Sequence, residues 1–328
     1  MNKRSAKVYR DDGPLSSRRQ FLAGAIGAAA SVYAWPVWAI TDSKVPHSRV
    51  ALLENPRLMT DIGIVKRLLV RLFEEGLCIS LNKPSPAAAW RSILREDDRI
   101  LLKFSIADAD RLATSEMMAE VLIESLMDAG FEPARITPLE VRLRTAWSDQ
   151  LAKPAFGWTE KVYDFGSGRE QLVKAVEDAT AILNVPFLKA HRIAGMTGCL
   201  KNLSHGLIRR PALYHDNQCC PCIPDVVAMP VIRDKLRLNV VNALRIIYDT
   251  RPDAARDPVD IASALVISTD PVAADTIGQT VLDAMRREKA LAPVTPEPGM
   301  VLQHRLAAAK GLGFNNLELI DLVRPAGA

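Results

Sequence analysis

From residue 48 onward, short runs of β-rich apolar residues alternate with stretches of helical periodicity. Residues 49–54 read as a strand. Across 61–75, Ile64, Leu68, Leu69 and Leu72 fall on one helical face. A short apolar strand is predicted at 100–104. The helix predicted at 115–129 aligns Met118, Val121, Leu122 and Leu126 and is stopped by Gly130. A strand returns at 134–138, whereas 141–160 has no period and predicts an irregular connection. A strand follows at 179–185, then a turn leading into a helix over 195–207. Pro211, Pro221 and Pro224 mark 208–224 as an irregular loop. Strands at 238–249 and 261–268 precede a helix at 271–286, a proline-marked linker, a helix at 300–310 and a strand at 317–322. This alternation predicts an α/β fold, a mixed, mostly parallel sheet or sheets flanked by helices. The length allows either one large domain or two intertwined lobes.

The first 39 residues break this pattern. A basic segment ends in Ser17-Arg18-Arg19-Gln20-Phe21-Leu22, which matches the twin-arginine export pattern. A weakly apolar Ala/Gly-rich run follows, and Val37-Trp38-Ala39 closes it with a small-residue cleavage site. The run is shorter than the roughly 20 apolar residues that span a bilayer. The reading is therefore a signal peptide at 1–39, read by the twin-arginine translocase, with a periplasmic domain at 40–328 that carries no membrane span. An uncleaved N-terminal anchor is the alternative.

Charge sharpens the division. The net charge of +4 is accounted for entirely by six bases and two acids within residues 1–39, so the remainder is balanced. A nucleic-acid surface driven by bulk charge is not expected. A hydrophobic fraction of 48% with 24% charged residues excludes a disordered or fibrous chain.

Rare residue types gather between positions 189 and 222. His191, His205 and His215 lie there, as do Cys199, Cys219, Cys220 and Cys222. An extended segment points Lys189 and His191 to one side. Gly195 and Gly198 then open a helix whose first-turn N–H groups are expected to be free for an anion. Thr197, Lys201 and His205, spaced by four, share a face of that helix. This cluster suits phosphate or carboxylate; a solvated polar helix face is the alternative. No Walker loop, dinucleotide fingerprint or G-x-S-x-G elbow is present. In the Cys219-Cys220-Pro221-Cys222 run, adjacent thiols with His215 could hold a soft metal. A disulfide of Cys222 with Cys199 or Cys78 is the competing reading, and inert thiols a third. Asp249 ends an apolar strand, where α/β sheets place site residues. Asp270 followed by Pro271 reads as a helix N-cap.

The segments Asn184-Val185-Pro186-Phe187-Leu188-Lys189-Ala190-His191 and Gly195-Met196-Thr197-Gly198-Cys199-Leu200-Lys201-Asn202 resemble the core of the domain-of-unknown-function 362 family. Leu101-Leu102-Lys103, Thr114-Ser115, His215, the strand ending at Asp249, Asp270-Pro271-Val272-Ala273-Ala274-Asp275 and Gly311-Leu312-Gly313 agree with it, over roughly residues 50–323. The resemblance implies the fold more than a reaction. Many members carry an iron–sulfur cluster module, but this chain lacks a C-x₂-C-x₂-C-x₃-C run.

Three functions compete. One is an exported enzyme acting on an anionic small molecule. Here Lys103, Lys201, Gly195, Thr197, Gly198 and Asn202 would bind, and Lys189, His191 and Asp249 would serve catalysis, with His191 as acid/base. The second is a metal- or redox-cofactor protein, iron–sulfur-associated or holding a metal ion through His215, Cys219, Cys220 and Cys222. The third is a non-catalytic binding module.

Overall fold

A computed structural model describes residues 47–60, 63–251 and 258–325. The signal read at 1–39 lies outside the described residues. Val45–Ala328 group as one compact unit, so the two-lobe alternative is set aside.

Nine strands form the main sheet: β1 (Ser48–Glu54), β2 (Ile100–Phe104), β3 (Ile136–Leu139), β4 (Ala181–Val185), β5 (Phe187–His191), β6 (Gly195–Thr197), β7 (Leu236–Ile247), β8 (Val259–Ser268) and β9 (Ile320–Val323). The helices that cover it are α1 (Lys66–Leu81), α2 (Pro86–Ile93), α3 (Ser115–Asp128), α4 (Cys199–Ser204), α5 (Cys222–Val227), α6 (Pro271–Glu288) and α7 (Leu302–Ala309).

Strand order is β9-β1-β8-β7-β4-β2-β3, with β5 beside β7 and β6 beside β5. The predicted mixed, mostly parallel sheet is present: β3, β2, β4 and β7 run parallel, while β8 opposes both β7 and β1. β8 follows β7 directly in the chain, and antiparallel neighbours need no crossover helix.

Every residue of β2 and β4 is buried, as expected for strands covered on both faces. Side chains alternate with period two. Ile100, Leu102 and Phe104 pack with Leu183 and Val185 under α1, α2 and α3, around Phe73, Trp90 and Leu122. Leu101 and Ile182 face the other layer, with Leu200 and Leu203 of α4 and Ile223 of α5. Lys103 and Asn184, two residues further along, therefore point to the α4 side as well.

Three helices depart from the sequence reading. α1 begins at Lys66 and runs past the predicted end at 75, with Gly76 packed so closely that an added Cβ would lie 2.5 Å from Leu53 Cδ2. Its bare backbone lets the helix sit down on β1. α2 was not predicted, although Ser85 caps it by accepting the Ala88 N–H at 3.3 Å and Pro86 occupies its first turn. The predicted loop at 208–224 ends earlier, because Pro221 and Pro224 sit at the N-cap and first turn of α5, where proline is tolerated. Among the described residues no helix is long and apolar enough to cross a membrane.

Candidate functional site

Strand register builds the floor of the site. Lys103 of β2 lies opposite Asn184 of β4, which lies opposite Asn239 of β7, which lies opposite Ser268 of β8. A polar row thus crosses the sheet toward the carboxyl ends of the parallel strands, where α/β proteins place their sites. The row is tightly satisfied. Asn184 Nδ2 donates to Asn239 Oδ1 at 2.9 Å and to the Cys199 carbonyl at 3.2 Å. Asn202 of α4 closes it from above. Its Nδ2 donates to Asn184 Oδ1 at 2.8 Å, and its Oδ1 accepts from Ser105 Oγ at 2.8 Å and Lys103 Nζ at 3.1 Å. Lys103 is fully buried, and its ammonium also donates to Glu140 Oε2 at 2.7 Å and the Phe104 carbonyl at 2.6 Å. Burial lowers its pKa, and Glu140 opposes that shift.

Above this floor lies a pocket of about 450 Å³. Its wall is set by the β5–β6 pairing, in which Thr197 opposes Lys189 and Gly195 opposes His191. Lys189, His191 and Thr197 line the pocket together with Lys201, Asn202 and His205. Trp158, Arg209 and His215 complete it, and Glu140 and Ser105 stand at the Lys103 side.

The cations in this region are unequally paired. Lys189 donates to Asp108 Oδ2. Burial opposes ionisation of Asp108, but Lys189 and Arg111 outweigh it and hold its carboxyl below the usual range. Lys201 has no carboxylate partner among the described residues. Its Nζ donates to Cys219 Sγ at 3.7 Å, and burial lowers its pKa. Thr197 Oγ1 is buried without a hydrogen-bond partner among the described residues.

His191 is held in one tautomer. Its Nδ1 accepts the Ile193 and Ala194 N–H groups at 3.2 and 3.0 Å, so the proton resides on Nε2. Burial, then the charge of Lys201 and of its other basic neighbours, lowers its pKa to about 3. The ring is a neutral donor at physiological pH. His215 stacks on it with centroids 5.8 Å apart and meets His205 edge-on at 4.9 Å.

One expectation for this region is overturned. The first N–H groups of α4 are not free: Asp275 of α6 accepts from Cys199 N at 2.5 Å and from Leu200 N at 3.0 Å. The anion at this helix end is thus supplied by the protein itself, and burial lifts its pKa to about 6. Gly198 is required beneath it, because an added Cβ would lie 2.2 Å from Asp275 Oδ1. Gly195, at φ 80°, packs against Val294 and Val301. Neither glycine lines the pocket, and Lys103 lies beneath it.

Asp249 is also absent from the pocket lining; its carboxylate is held by Arg251 Nε at 2.9 Å. Asp270 is the N-cap read from the sequence, accepting from Val272 N and Ala273 N at 2.8 and 2.9 Å. All five cysteines are free thiols, so the disulfide reading is not realised. Cys222 packs among apolar residues of the α4–α5 layer. Burial pushes both Cys220 and Cys222 up to about 12. Burial raises the Cys219 thiol as well, although Lys201 opposes that shift. Cys219 shares with His205 and His215 a set of ligand atoms all within 4.8 Å of one another, a group that could hold a metal ion.

Asp108 and Glu140 escaped the sequence reading. Both sit at left-handed backbone positions, φ 67° and 64°, as do Asn217, Gln218 and Cys219 at 46°, 57° and 61°. Such residues cost on the order of 1–3 kcal/mol each and collect at functional sites. The signal available was position alone: Glu140 immediately follows β3, and Asp108 lies in the connection after β2.

No curated protein matches the chain. Residues 156–280 match the model of a family described as a domain of unknown function, DUF362. The match holds β4, β5, β6, α4, the cysteine loop and the start of α6, whereas Lys103, Asp108 and Glu140 fall outside it. The segment that supplies most of the pocket wall is thus similar to the DUF362 family.

Proposed function

We propose that the pocket binds a small molecule through a carboxylate or phosphate group. The observation that carries this reading is Lys201, a buried cation facing the pocket without a carboxylate partner among the described residues. Burying an unmatched charge is costly, so the arrangement favours a ligand that supplies the counter-charge. Thr197 Oγ1 and the His191 Nε2–H stand on the same lining as additional donors. In this reading Lys189, already matched by Asp108, shapes the wall, and His191 acts as a donor to the ligand. The Ser17–Leu22 pattern supports export by the twin-arginine route, which places the pocket in the periplasm.

Thermal unfolding of the full chain with inorganic phosphate and, separately, succinate tests the reading. At about a hundred times its dissociation constant, the correct anion should stabilise wild type by roughly 2.7 kcal/mol. Lys201→Met should fold and lose that shift. The anion that acts distinguishes phosphate from carboxylate. The reading fails if neither anion shifts wild type, or if Lys201→Met responds equally.

A further inference from the structure

We infer that His205, His215 and Cys219 form an open three-ligand site for a divalent ion of the zinc type on the wall of the pocket. This goes beyond the anion reading, since a metal could bind here whether or not an anion follows.

The donor set is one thiol and two imidazoles with ligand atoms within 4.8 Å of one another. Ligands of tetrahedral zinc, at bond lengths of about 2.0–2.3 Å, lie roughly 3.5 Å apart. Side-chain rotation of about an ångström therefore closes the site.

Orientation is already in place. A backbone carbonyl only accepts, so each ring nitrogen facing one carries the proton. His205 Nε2 faces the Tyr214 carbonyl at 3.1 Å, and His215 Nδ1 faces the Pro211 carbonyl at 3.1 Å. His215 keeps Nε2 for a metal, and His205 keeps Nδ1, which only the Ser204 hydroxyl approaches, at 3.4 Å; such carbonyl contacts orient ligating histidines elsewhere. Cys219 is delivered by a separate device. Asn217, Gln218 and Cys219 are three successive non-glycine residues with left-handed φ, which turns the chain back toward α4. Lys201 Nζ lies 3.7 Å from Sγ, so the thiol sulfur is turned toward the pocket side of α4.

The sequence alone pointed to Cys220 and Cys222 as co-ligands, but neither joins the converging set among the described residues. With three protein ligands the fourth position stays open to the pocket lined by His205 and His215, as in zinc sites that admit water or substrate. A soft thiolate with two borderline nitrogens suits zinc or cobalt(II) and disfavours magnesium or calcium.

The test uses the full chain, stripped of metal under reducing, anaerobic conditions and titrated with Co²⁺. One equivalent should bind with a thiolate-to-cobalt charge-transfer band, and Zn²⁺ should displace it. Cys219→Ser should lose the band. His205→Gln and His215→Gln should each weaken binding by tenfold or more, while Cys220→Ser should bind as wild type does. Metal counting by native mass spectrometry on wild type keeps the test independent of how the variants fold. Failure of wild type to take up one Co²⁺ or Zn²⁺ overturns the site. So does a band that survives in Cys219→Ser or disappears in Cys220→Ser. An anion-dependent melting shift in metal-free protein would leave the anion reading standing even then, and metal uptake without any anion shift would do the reverse.

Discussion

Two lysines, Lys103 and Lys201, show how differently one fold can bury an ammonium group. Lys103 donates to a carboxylate, an amide oxygen and a backbone carbonyl, all within 3.1 Å. Its neighbours Asn184, Asn202 and Asn239 use their amides just as fully. Lys201, one helix position before Asn202, reaches a thiol. Burial lowers the pKa of both lysines, but a carboxylate opposes the shift only for Lys103. A saturated polar network rigidifies a floor, whereas an unsaturated one facing a cavity is prepared for a ligand.

The largest expected effect tests the saturated side. Lys103→Met leaves Glu140 and the Asn202 oxygen without their cation, and breaking a buried pair on one side costs about 3–5 kcal/mol. Glu140 keeps some solvent contact and the Ile106 N–H, which favours the lower end of that range. Urea denaturation should show this loss, while Lys201→Met should lie within about 1 kcal/mol of wild type. Equal losses in the two variants would erase the distinction between floor and binding wall.

What the sequence could and could not show follows the same division. Lys189 and His191 were legible because period-two alternation points them to one side; Thr197 was expected on the helix with Lys201 and His205, but it lies in β6 opposite Lys189, outside α4. Lys103 was legible as a strand-end lysine, but not as floor. That status depends on Asn202, 99 residues away, and on Glu140 at a left-handed position that a glutamate seldom occupies. Likewise the anion at the α4 N-terminus comes from Asp275, 76 positions distant from Cys199. Local pattern correctly marks a helix end that seeks negative charge, and tertiary packing decides whether a ligand or the protein supplies it.

Asp275 provides the next test, because it is the protein's own anion against α4. Burial raises its pKa to about 6, although the Leu200 and Cys199 N–H groups pull it down. An unfolded aspartate releases its proton near pH ~3.9. Between those values the folded state binds more protons, so this carboxyl's contribution makes stability fall as pH rises from about 4 to about 6. A shift of about two pKa units corresponds to roughly 3 kcal/mol. Asp275→Asn should abolish that portion of the slope, seen as the difference between wild-type and variant unfolding free energies across the window. Parallel pH profiles for the two proteins would show that Asp275 holds α4 without carrying a buried charge.

The smallest effect concerns a group that is unsatisfied yet does not line the binding pocket. His304 of α7 is fully buried, neither ring nitrogen has a hydrogen-bond partner among the described residues, and burial lowers its pKa to about 3. If unsatisfied polarity alone marked function, His304 would qualify as readily as Thr197 or Lys201. It does not line the pocket, so it should behave as a polar group retained in the core. His304→Leu removes a desolvated imidazole for an apolar side chain of similar bulk, which should be neutral or stabilising by about 1 kcal/mol near neutral pH. Acid should magnify the gain. A histidine with a depressed folded pKa contributes stability that is complete above its unfolded value of about 6.5 and is lost as pH falls toward 3. Denaturation midpoints near pH 7 and pH 5 should therefore favour the variant increasingly at the lower value, with its anion-dependent melting shift unchanged. Loss of that shift would mean that an unpartnered group acts on the pocket from within the core, and access to the cavity would no longer separate the binding wall from the rest of the fold.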